Sequence, residues 1–299
     1  MKTAKSGPAR HVRADLALAG IAFIWGATFV VVKEALLDSS TFLFLALRFS
    51  LAGIILAAVL RGRLTRKQPV NWVGGVQCAF LLFLGYALQT AGLRLTTASK
   101  SAFITGLYIV LVPLGASLVN RSMPRLAEIA GAAAATAGTA LMTSGDWDLH
   151  LNAGDILTVG CAVAFTAHML SVAHYTRKMD YERLSLFQVA GVAAFSWLAA
   201  ATMETPHIAW SPRLLFGVIV TAVLATALSF LLYTWAQQHT SATRAALIFA
   251  LEPVFAGLTA WVAAGEAWTV RSLTGAGLIL SGIVLVEVKP APPSRHQEG

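Results

Sequence analysis

The chain has 299 residues, of which 57% are hydrophobic and 12% charged, against roughly 45–50% and about 25% in a soluble domain. So few charges cannot cover a water-soluble body of this size, and ten crossings of about 20 residues each fit the length with only short connections left over. A soluble multidomain enzyme, a disordered chain and a large extramembrane domain are excluded, and continuous apolar runs argue against a β-barrel.

The N-terminal stretch is basic (Lys2, Lys5, Arg10, Arg13), and Asp15 opens the first apolar run. Ala17-Leu18-Ala19 has no hydrophobic stretch in front of it, so no cleaved leader is expected. Apolar runs then fall at 15–33, 41–60, 70–92, 99–119, 126–144, 155–175, 185–203, 213–236, 243–264 and 272–288. The connections, including Arg61 to Pro69, Asn120 to Arg125 and Gly145 to Asp155, are too short to fold as domains. The expected architecture is therefore an all-α integral membrane protein of ten transmembrane helices. A tail at 1–14, five helices over 15–144, five more over 155–288 and a tail at 289–299 make up the chain.

Ten crossings put both termini on one side. With that side inside, sixteen Lys and Arg fall on internal segments and five (Lys33, Arg94, Lys100, Arg213, Arg271) on external ones. The positive-inside rule then sets N-in and C-in, with the acidic Asp146 and Asp148 loop outside. The net charge of +8 would suggest nucleic acid in a soluble protein; here the loops account for it. The expected partners are the lipid bilayer and a small-molecule substrate, with protons as a candidate coupling ion, no nucleic acid and no cofactor. A monomer and a homodimer are both open. Cys78 and Cys161 lie inside apolar runs and offer neither a disulfide framework nor a metal spacing.

The two halves repeat. Residues 15–29 align with 155–169 at four identities, pairing Asp15 with Asp155 and Trp25 with Phe165. Residues 90–104 align with 234–248 at five, setting Thr97-Ala-Ser-Lys100 against Ser241-Ala-Thr-Arg244. Gly131 and Gly138 recur as Gly275 and Gly282. Five crossings is an odd number, so the second half enters from the opposite side. That inverted-topology repeat is a construction of secondary transporters, with the site near mid-membrane between the halves.

Trp25-Gly-Ala-Thr-Phe-Val, Leu47-Arg-Phe49, Leu251-Glu-Pro253, Gly265-Glu266 and Gly275-Ala-Gly277 with Ser281-Gly282 resemble, in order and spacing, the EamA family of the drug/metabolite transporter superfamily. The resemblance covers residues 15–288. It implies a ten-helix transporter of small metabolites in a bacterial inner membrane. Aromatic amino acid exporters of the YddG type are among the members the chain is similar to. The second half departs from the Trp-Gly pattern, with Phe165-Thr-Ala-His168 in its place.

Ionisable groups deep in a span are the first functional candidates, since each costs roughly 2.5–3.5 kcal/mol at a helix centre. Glu252 stands midway along the ninth run, before Pro253, which frees a carbonyl one turn back. It reads either as a carboxylate for a substrate ammonium or a proton, or as a packing residue. His168 replaces Thr28 in the repeat, and either binds substrate, titrates near neutral pH or rests on a neighbouring carbonyl. Arg48 reads as a substrate carboxylate partner, a structural pair or a snorkelling side chain. Tyr86, Gln89 and Thr90 share one helical face, Ser229 and Tyr233 share another, and Tyr108 is the repeat equivalent of Glu252. With Trp25 and Thr28 these form the expected substrate site. Trp72, Trp210 and Trp268 are expected in interfacial belts. Lys100 and Arg244 are expected either as pathway mouths or as helix-end anchors.

The expected activity is secondary transport by alternating access, most directly export of aromatic or other amphipathic amino acids. A channel-like facilitator and a carrier of nucleotide-sugars, purines or drugs are the alternatives. An intramembrane protease reading of Gly115-Ala-Ser117 requires a base within hydrogen-bond reach and carries no repeat logic, so no enzyme is expected.

Overall fold

The computed structural model describes residues 8–64, 70–143, 152–264 and 269–288. The segments at 1–7 and 289–299, Arg66, Lys67, Asp146, Asp148, Gly265, Glu266 and Trp268 lie outside the described residues. Helices α1 (Pro8–Ala35), α2 (Thr41–Leu64) and α3 (Trp72–Leu95) make the first three crossings, α4 (Ala98–Thr105) with α5 (Tyr108–Asn120) the fourth, and α6 (Leu126–Thr143) the fifth. The second half follows with α7 (Ala153–Tyr175) and α8 (Tyr181–Thr202). Next come α9 (Pro212–Ala222), a π-helical turn (Val223–Leu228) and α10 (Ser229–Gln237), which together form one crossing. The chain then runs through α11 (Ala242–Phe249), α12 (Glu252–Ala264) and α13 (Val270–Val288). Among the described residues nine segments are long and apolar enough to span a bilayer, and Val270–Val286 is a shorter apolar tenth. The protein is an all-helical membrane protein.

Three features differ from the sequence expectations. The first helix starts at Pro8, so residues 8–14 extend it where a tail is expected. The fourth and ninth crossings, expected as continuous runs, are each broken in the middle at equivalent positions, Gly106-Leu107 and Ala250-Leu251. The eighth widens into a π turn. The breaks have different causes. In the ninth crossing the Pro253 ring clashes with the carbonyl four residues back, at Phe249, where α11 stops, yet is tolerated in the first turn of α12. In the fourth, Gly106 carries the poorest helix propensity short of proline and takes the turn.

The repeats interleave. Helix α3 packs on α7, α2 on α8, α1 on α10 and α12, α5 on α11, and α6 on α13. The glycines that recur between the halves meet across the last of these contacts. A methyl on Gly138 would sit 2.4 Å from the Gly275 oxygen, and one on Gly131 would sit 2.7 Å from that of Gly282.

Lys100 and Arg244 stand in the first turns of α4 and α11. Thr97 and Ser241 cap α4 and α11 by accepting from the backbone N–H of Lys100 and Arg244. Each cation then reaches the opposite repeat. Lys100 Nζ lies 2.6 Å from Asp155 Oδ2, and Arg244 Nη2 lies 2.6 Å from Asp15 Oδ2. The two pairs join equivalent residues at opposite ends of the bundle, one at the face where α1 begins (the N-face) and one at the other.

Candidate functional site

Between the halves lies a cavity. Eight of the nine sequence candidates line it: Trp25, Thr28, Tyr86, Gln89, Tyr108, His168, Tyr233 and Glu252, together with Arg48 and Thr90. Ser229 does not. Its side chain is fully buried and donates to Leu224 O at 2.8 Å, five residues back, so it holds the π turn instead of the cavity wall. Ser229 and Tyr233 are both on α10, but Ser229 is its first residue and its hydroxyl turns back onto the preceding π turn.

The broken crossings deliver two of these groups. Tyr108 and Glu252 are the first residues of α5 and α12, and Tyr108 Oη donates to Glu252 Oε1 at 3.0 Å. The two helix N-termini thus meet at the cavity, where their dipoles favour negative charge. Gly26 permits the approach: a methyl there would lie 2.4 Å from Glu252 O.

The π turn delivers a third. It frees backbone carbonyls from the regular ladder, and Trp25 Nε1 donates to Ala225 O at 3.0 Å. Arg48, 4% exposed, donates through Nε to Thr226 Oγ1 at 2.8 Å and through Nη2 to Ala225 O at 3.5 Å. Its guanidinium lies 4.9 Å from the Tyr86 ring centre and 5.3 Å from that of Phe49. It does not snorkel, and it forms no ion pair among the described residues. Arginine stays charged in proteins, so a buried cation faces the cavity with rings and neutral oxygens around it.

His168 Nε2 lies 2.7 Å from Gln188 Oε1, and Gln188 Nε2 donates to Thr234 Oγ1 at 2.8 Å. The partner is the carbonyl oxygen of a side-chain amide. Gln89 Nε2 donates to Thr105 Oγ1 at 3.3 Å, while Thr28 Oγ1 donates back to Trp25 O at 3.0 Å. Phe29, Phe165, Phe230 and Phe249 complete an aromatic wall. Sequence reasoning reached Phe165 only as the repeat partner of Trp25. The other three are apolar residues in apolar runs and carry no signal there.

Two further cavities flank this one. One shares Phe29, Tyr108, Phe249 and Glu252 with it, and carries hydroxyls at Ser99, Thr139, Thr143 and Ser272. The other, at the N-face, is lined by Arg125, Arg177, His174, His239 and Arg244 with Glu128. It shares no wall residue with the central cavity. Between them Gln237 Nε2 donates to Tyr233 Oη at 3.1 Å.

A family model described as the EamA-like transporter family matches residues 12–144 and again 152–288. An uncharacterised transporter of Archaeoglobus fulgidus is 32% identical over 280 residues, covering 94% of this chain and 87% of its own. The uncharacterised transporter YvbV of Bacillus subtilis is 24% identical, with 93% and 92% covered. A solved crystal structure of a protein superposes with a TM-score of 0.78 at 20% identity, covering 92% of this chain and 96% of that one, a likeness of fold.

Proposed function

The chain belongs to the EamA-like transporter family, and from that premise we propose that it is a carrier of amphipathic, most directly aromatic, amino acids. The observation that carries this reading is the buried Arg48 guanidinium, which has no carboxylate partner among the described residues and faces a cavity that also holds Glu252. An ionised group inside a membrane marks a substrate or ion pathway, because its cost calls for a compensating charge. A substrate carboxylate at Arg48 supplies that charge, an ammonium at Glu252 supplies the other, and the rings of Trp25, Tyr86, Phe165 and Phe230 take an apolar side chain.

The rest of the reading follows the repeat. Two interleaved halves in opposite sense exchange shapes to expose the cavity alternately to either face. The central cavity meets one flanking cavity at the Tyr108–Glu252 bond and is walled from the N-face. In this reading the charge bias favours a cytoplasmic N-face, and the likeness to exporters favours a bacterial inner membrane with net flow outward. Protons are the coupling ion in this scheme, with Glu252 as their carboxylate, and one chain holds the whole cavity.

Counterflow in proteoliposomes with radiolabelled amino acids tests it. Saturable counterflow of aromatic amino acids, lowered more than tenfold by Arg48→Gln, is expected. Linear, non-saturating flux would make the protein a facilitator, and counterflow of nucleotide-sugars or purines alone would replace the substrate class.

A further inference from the structure

The hydrogen-bond chain behind His168 fixes which of its ring nitrogens carries the proton. Thr234 Oγ1 lies 2.7 Å from the Phe230 carbonyl oxygen, four residues back. That oxygen can only accept, so the single hydroxyl proton of Thr234 goes to it. Thr234 Oγ1 can therefore only accept from Gln188, which sets the Gln188 amide with its NH₂ toward Thr234 and its oxygen toward His168. The oxygen in turn must receive a proton, so His168 is protonated on Nε2, at 2.7 Å from it. No carboxylate lies within ion-pair distance of His168 among the described residues; its neighbours are Gln188 and the rings of Phe230 and Tyr233. A buried ring with no counter-charge is neutral, and Nδ1 is left as a lone pair. That atom has no partner among the described residues. Unlike Gln237 Oε1, it is not among the sealed side-chain atoms, and His168 forms part of the cavity wall.

We propose that His168 Nδ1 is a hydrogen-bond acceptor that selects aromatic substrates bearing a ring donor, an indole N–H or a phenol O–H, over those without one. The inference deepens the aromatic amino acid reading and rests on it. The Phe230 and Tyr233 rings pack about 6 Å from the imidazole, at 6.2 and 6.1 Å between centres, so a ligand ring among them presents its edge to Nδ1. Arg48 and Glu252 are left for the α-carboxylate and α-ammonium. A site built to pair a polar substrate group disfavours the analogue that lacks it, since its own polar atom then stays unpaired.

Competition against labelled substrate in proteoliposomes reads this directly. Tryptophan should compete about tenfold better than 1-methyltryptophan, and tyrosine about tenfold better than phenylalanine and O-methyltyrosine. In His168→Phe both ratios should fall to about one, whatever the variant's overall rate. Equal competition by tryptophan and 1-methyltryptophan in the unmodified protein overturns the proposal, as does an unchanged ratio in His168→Phe. If that variant does not fold, ¹⁵N-histidine spectra of the unmodified protein decide. The Nδ1 resonance should have the shift of an unprotonated nitrogen and move with tryptophan but not with 1-methyltryptophan; any other pattern refutes the assignment. Phenylalanine and tryptophan carried equally well would sink the selection while leaving the carrier reading intact. Carriage of neither would sink both.

Discussion

The Lys100–Asp155 and Arg244–Asp15 pairs are made by equivalent residues of the two repeats, each on a helix capped by the preceding Thr97 or Ser241. Their surroundings differ. The Asp155 side chain has no exposed surface and also accepts from Thr96 Oγ1 at 2.8 Å and from the Asn152 backbone at 2.9 Å. Asp15 and Arg244 keep 22% and 32% of their side chains exposed. The residue equivalent to Thr96 is Thr240, and its hydroxyl has no hydrogen-bond partner among the described residues. A repeat copies the frame but not the energetics, because a few changed neighbours decide whether an ion pair is dry or wet. The same holds in the membrane interior. The third crossing is an uninterrupted helix, whereas its counterpart, the eighth, opens a π turn whose carbonyls hold Trp25 and Arg48.

The comparison breaks most visibly on the acids. Asp155→Asn leaves a largely buried ammonium against a neutral amide, and removing one member of a buried pair costs about 3 kcal/mol. Asp15→Asn removes a partly exposed pair, with an expected cost under about 1 kcal/mol. Denaturant unfolding of both variants in detergent checks this, and equal losses would mean that burial does not separate the two faces.

A second contrast lies within α1. Gly26→Ala places a methyl 2.4 Å from Glu252 O, at the broken crossing where backbone cannot easily yield, while Gly20 has nothing within 4 Å of the same position. The first substitution should destabilise by about 1–3 kcal/mol. The second should be neutral or stabilising by up to about 1 kcal/mol, the helix-propensity gain. If both variants are equally stable, Gly26 is not what lets α1 approach the junction.

The frame was legible in the sequence because bilayer thickness sets run length and because the repeat is written in residues that recur at a fixed offset, such as Asp15 with Asp155 and Gly131 with Gly275. The cavity was largely legible for a related reason. A tyrosine, glutamine or glutamate inside an apolar run is costly against lipid, so it turns toward the bundle interior or a polar cavity. Three things were not legible. The breaks at Gly106 and Ala250 sit inside runs of unbroken hydropathy, and only Pro253 marks one of them. The π turn at Val223–Leu228 has no residue signature, so nothing in the sequence shows that the Ser229 hydroxyl is taken up by the Leu224 carbonyl. The partners of Lys100 and Arg244 lie across the repeat boundary, 55 and 229 positions away in sequence, where no local pattern reaches.

At the face opposite the N-face the comparison can be sharpened by pH. Asp38, between the first two crossings, accepts from Arg213 Nε at 2.9 Å and Nη2 at 2.8 Å, and from Ser211. The Arg213 hydrogen bonds, then that of Ser211, hold its carboxyl below the ordinary value of 3.8. A carboxyl lowered in the folded state contributes stability that is fully present above its unfolded value and is lost as pH falls through the folded one. The loss should therefore appear only below about pH 4. Asp38→Asn should flatten that part of the stability curve while leaving the profile from pH 6 to 8 parallel to the parent's. An acid limb equally steep in the variant would assign it to other carboxylates, and would leave the Asp38–Arg213 contact as an exposed pair with no measurable hold on the fold.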